Sequence, residues 1–117
     1  MMSCATIAAM DAVLLYITTQ DKEQASTIAR ALLDMKLIAC ANIFEHITSL
    51  YRWQGNIEQT TECVIIAKSV RARMQAITDQ VKALHAYECP CIAAVPIEGY
   101  PPFLEWITRE TTPSDQI

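Results

Sequence analysis

Residues 37–68 read LIACANIFEHITSLYRWQGNIEQTTECVIIAK. Stretches 37–53 and 57–68 are rich in β-branched and aromatic residues, which favour strands. Between them QGN at 54–56 supplies a turn around Gly55. The spacing predicts a hairpin of two long strands, the first bent near Glu45 and His46. Most strands in small domains run about 5–6 residues, so this hairpin is unusually long.

Working outward, AVLLYITT at 12–19 is a short apolar run that fits a buried strand. Asp21 with Gln24 three residues on matches a helix N-cap and its capping-box partner. Ala25, Ile28, Ala29, Leu32 and Leu33 then recur at helical spacing, which predicts a helix over 22–36. After the hairpin, Val70, Met74, Ile77, Val81 and Leu84 mark a second amphipathic helix over about 70–85. CIAAVPI at 91–97 reads as a strand. YPPFLEWITRE at 100–110 reads as a closing helix with Pro101 and Pro102 in its first turn. The order is β-α-β-β-α-β plus a terminal helix, an α+β split βαβ sandwich of ferredoxin-like type. One domain over 12–112 is expected, with tails at 1–11 and 113–117. Two helices cover one sheet face, and nothing remains to cover the other. That open face and the long hairpin edges point to oligomerisation through the sheet.

Composition narrows the function. The chain has 117 residues, 52% hydrophobic and 19% charged, with net charge −4. It is more apolar than the usual soluble chain at about 45–50%, as expected if part of the surface meets another subunit. No basic stripe appears, so nucleic acid is not an expected partner. Two glycines leave no Gly-rich phosphate loop. No apolar run reaches the roughly 18–20 residues that span a bilayer, so no membrane association is expected. The start, MMSCATIAAMDA, lacks the pattern of a secretory signal. A cytoplasmic protein is expected, with its five cysteines reduced; their odd number also argues against a complete disulfide framework.

HAYECPC at 85–91 concentrates the reactive chemistry. Imidazole and thiolate suit copper or zinc, and a thiolate pair favours Cu(I). A metal site here would use His85, Glu88, Cys89 and Cys91. The competing reading is a helix-to-strand junction: cysteine packs as a small hydrophobe, Pro90 opens a strand, and His85 caps the helix end. Cys40 and Cys63 on the hairpin read as core. Cys89 with His85 is the one candidate nucleophile and base, and nothing completes an active site around them, so no catalysis is expected.

Several strings resemble the divalent-cation tolerance family, CutA. They are Ala39–Cys40–Ala41–Asn42, the run Ser49–Leu50–Tyr51–Arg52–Trp53–Gln54–Gly55, Lys68, and His85 with Tyr87 and Pro90. The likeness extends over roughly 12–110. It implies a ferredoxin-like domain similar to the PII signalling proteins, assembled as a homotrimer whose long strands pair across subunits. It also implies a role in metal-ion tolerance, with copper or another divalent cation weakly bound. Ala86 stands where the family pattern has proline, and Cys91 where it has glutamate. Ile17 and Leu84 stand at two further ligand positions, so His85 alone of that trio carries over. The resemblance places Tyr51, Trp53, Glu62, Lys68 and Tyr87 at clefts between subunits. There they could hold a small effector and signal to a partner protein, or the aromatics could serve as interface anchors.

Overall fold

A computed structural model gives the fold of residues 11–113. Nearly all of both tail assignments lies outside these residues. The elements run β1 (Ala12–Thr19), α1 (Lys22–Asp34), β2 (Cys40–Trp53), β3 (Asn56–Val70), α2 (Met74–Leu84), β4 (Ile92–Pro96) and α3 (Pro101–Glu110). The four strands form one antiparallel sheet in the order β2-β3-β1-β4. This is the ferredoxin-like arrangement expected from the sequence.

Asp21 caps α1, its carboxylate accepting from the Gln24 N–H at 2.8 Å. The reciprocal bond lands one residue early, with the Gln20 N–H donating to Gln24 Oε1 at 3.2 Å. The helix stops at Asp34 rather than 36. Lys36 adopts φ 58, and the Leu37 and Lys36 N–H groups donate to the Leu32 and Leu33 carbonyls. That is a Schellman ending with Leu37 folded onto Leu32. Residues 37–39 are therefore a buried connector, and β2 starts only at Cys40.

The hairpin matches its expected form. Trp53 pairs with Asn56 across Gln54 and Gly55, both at positive φ, which is a type I′ turn. Between Phe44 and Ile47 the register shifts, so Glu45 and His46 together oppose Cys63. His46 sits there at φ 60. The bulge is the expected bend, and it keeps Phe44 and Ile47 on one face of the sheet. β1 pairs β3 only as far as Cys63, so residues 47–62 project as a two-stranded arm. The arm stretches the molecule to 54 × 25 × 22 Å and its radius of gyration to 15.4 Å, against about 13 Å for a compact chain of this size.

The core lies between the sheet and helices α1 and α2. Val13, Leu15 and Ile17 of β1 meet Cys63, Ile65 and Ala67 of β3 under Ile28, Leu32, Ile77 and Val81. Residues of the other parity face away. Contrary to expectation, that second face is partly covered. α3 seats Leu104 and Ile107 on Ala12 and Val70 at one end, and Arg73 Nε donates to the Thr111 carbonyl at 2.7 Å. The remainder stays open, with Tyr16, Phe44 and Val95 at 41%, 47% and 54% exposure. The second helix also starts later than expected. Val70 ends β3, Arg71–Arg73 form a 3-10 turn, and no side chain caps the helix start.

Candidate functional site

The chain leaves α2 at His85 and is clasped onto the sheet. His85 Nδ1 accepts from the Tyr87 N–H at 3.0 Å. A backbone N–H can only donate, so the proton of the neutral ring sits on Nε2, which donates to the Thr18 carbonyl at 2.7 Å. His85 is the residue that ends the helix, but its ring reaches β1 rather than the helix carbonyls. Both nitrogens are engaged, so the imidazole offers no lone pair to a metal or to Cys89. The Tyr87 ring packs against it in a tilted arrangement, with ring centroids 4.6 Å apart and planes at 48°, and its hydroxyl donates to Glu62 Oε2 at 2.7 Å.

Glu62 is 7% exposed, a buried carboxylate held by one charge-assisted bond. Burial first, and then the Glu62 carboxylate, push the Tyr87 phenol well above its usual value. The phenol stays protonated and donating. A raised acid stabilises the fold below its unfolded value near pH 10, and that stability is lost as pH climbs toward the folded value. Tyr87→Phe is expected to cost about 1–3 kcal/mol at neutral pH and to flatten the loss of stability above pH 10. Urea unfolding across pH 7–11 checks both.

Beside this clasp an open depression of about 640 Å³ lies between the arm and the 87–91 segment. Four of the five residues expected at the cleft line it: Tyr51, Trp53, Glu62 and Tyr87. Lys68 does not; it is farther along β3, donating to Asn42 Oδ1. Glu88, Cys89 and Cys91 also line it, and both thiols are exposed. The four residues singled out as metal ligands do not converge, because His85 turns to Thr18. Among the described residues no three of His, Cys, Asp and Glu are placed to hold one ion. Sequence reading missed Tyr16, Thr18 and Ser49 in the wall. Tyr16 and Thr18 alternate onto the open face of β1, so their parity was the available signal.

Cys63 is buried as expected, and burial, then Glu45 and Asp21, raise its thiol. Cys40 is only half-buried and pairs with Lys68, so its assignment to the core does not hold.

The family model for the CutA1 divalent ion tolerance protein matches residues 13–110. The chain belongs to the CutA family. It is similar to the divalent-cation tolerance protein CutA of Archaeoglobus fulgidus, 47% identical over 94 residues, covering 80% of this chain and 91% of that one. The mouse protein CutA is 36% identical over 97 residues, covering 82% of this chain and 55% of the mouse protein. The chain thus spans about half of that relative. A solved structure of the periplasmic divalent cation tolerance protein CutA from A. fulgidus superposes with TM-score 0.83 at 42% identity. That match covers 86% of this chain and 99% of the other. The fold and the family of the CutA chain agree with the resemblance read from its motifs.

Proposed function

We propose that this CutA chain works as a homotrimer that binds copper at Cys89 and Cys91, and other divalent cations more weakly, without catalysis. The observation that carries the reading is that both exposed thiols border one depression beside Glu88. Two thiolates suit Cu(I), which accepts few soft ligands. Closed tetrahedral zinc needs four ligands, and the described residues of one protomer do not assemble them. Trimer formation is supported by the open sheet face, the unpaired edge of β2 and the arm. The arm is apolar on both sides: Tyr51 and Trp53 on one, Leu50 and Ile57 at 66% and 72% exposure on the other. Such a ribbon in water calls for a partner. We place the protein in the cytoplasm, where free thiols persist.

The test is a Cu(I) titration of the reduced protein against a chromogenic chelator. Replacing both Cys89 and Cys91 by Ser is expected to weaken binding beyond the about 10–100-fold typical of lesser changes around a metal. Cys40→Ser should leave it unchanged. Equal affinity in the double variant would remove the site.

A second reading, a module that binds a small effector and signals to a partner protein, is favoured by the aromatic walls of the depression. Among the described residues no Lys or Arg lines it, which disfavours phosphate-bearing effectors.

A further inference from the structure

The depression has one sign of charge and a specific wall. Among the described residues its ionisable lining consists of two carboxylates, two thiols and tyrosine phenols, with no cationic side chain. Tyr16, Tyr51, Trp53 and Tyr87 supply aromatic surface from three directions: β1, the arm and the clasp. Glu62 stands among them, nine-tenths buried. Its Oε2 accepts from the Tyr87 hydroxyl; among the described residues none donates to Oε1. A carboxylate so withdrawn from water favours a charged donor over a neutral one. Aromatic faces attract cations in the same way. The volume of about 640 Å³ lies within the roughly 300–1,000 Å³ range of small-molecule sites.

From these observations we propose that the depression binds a small organic ammonium with an apolar body, its N–H groups donating to Glu62 and its body lying against Tyr51 and Trp53. This deepens the small-effector reading and rests on it. It is independent of copper, because the ammonium sits on Glu62 and copper on the two thiols.

The test uses the full chain in its native assembly and three probes that share a phenylethyl body and differ in head group: 2-phenylethylamine, 2-phenylethanol and 3-phenylpropanoate. Nitrogen-15 spectra resolve two indole N–H signals, from Trp53 in the wall and from Trp106 of α3, which packs against the cluster of Ala12, Val70, Leu104 and Ile107. The amine is expected to shift the Trp53 signal and leave Trp106 in place, the alcohol to bind more weakly, and the carboxylate not at all. Glu62→Gln keeps an acceptor for Tyr87 and is expected to weaken the amine by roughly ten- to a hundredfold. It should leave the Cu(I) titration unchanged. Tyr51→Leu, at an exposed position, keeps the Trp53 reporter and weakens the amine should the Gln variant fold poorly. Saturable amine binding lost in these variants but retained in Cys89→Ser/Cys91→Ser supports the proposal. An unmoved Trp53 signal, as when a neighbouring copy fills the depression, would overturn it. So would equal affinity for amine and alcohol, or an amine affinity indifferent to both Glu62→Gln and Tyr51→Leu.

Discussion

Ile65→Ala lowers the free energy of unfolding by about 3 kcal/mol, within the roughly 2–5 kcal/mol typical of such truncations. Ile65 is fully buried on β3 and sits in a row of four isoleucines across the sheet. Ile43 and Ile17 are its cross-strand partners, and Ile92 pairs with Ile17 on the far side. Truncation leaves a cavity in the middle of that row. The flanking strands hold the backbone in register, so the gap closes little. Ile65→Val removes one methylene and is expected to cost only about 1 kcal/mol. Denaturant unfolding at one fixed protein concentration checks both, since an oligomer's stability depends on concentration. Equal losses for the two variants would mean that this row is not tightly packed.

The second large effect concerns assembly. Phe44 lies on the open face opposite Val64, half exposed and outside both core clusters. Phe44→Glu is expected to leave the protomer's circular dichroism unchanged and to convert the proposed trimer to monomer. Symmetry brings the new charge into the contact three times, and an unpaired carboxylate buried there costs several kcal/mol each time. The dissociation constant should rise by at least about a hundredfold, which corresponds to only about 3 kcal/mol. Analytical ultracentrifugation across micromolar concentrations reads it directly. An undiminished trimer would place the subunit contact elsewhere.

The sequence revealed most where local chemistry decides the backbone. Asp21 marked the first helix, Gly55 the hairpin turn, and the Glu45–His46 step the bulge. It misled where an unusual residue takes a special conformation. Lys36 ends α1 at positive φ, a place where glycine is the usual signal, so the helix reads too long. Val70 precedes a 3-10 turn without a capping side chain, and the start of α2 had no marker. The site was legible as a set of residues but not as contacts. Tyr87 meets Glu62 across 25 positions, and His85 meets Thr18 across 67. Only the path of the clasp joins them. The same path withdraws His85 from the ligand set and leaves the two cysteines facing the depression. Lys68 shares a strand with Glu62, and its distance along that strand keeps it out of the wall.

Native mass spectrometry of the reduced chain, with Cu(I) added stepwise, tests the central claim most directly. The expected spectrum is a single assembly at three times the 13.1 kDa chain mass. It should take up one copper per chain and lose that uptake when Cys89 and Cys91 are both Ser. A monomer at micromolar concentration, or a trimer that stays metal-free, would contradict it.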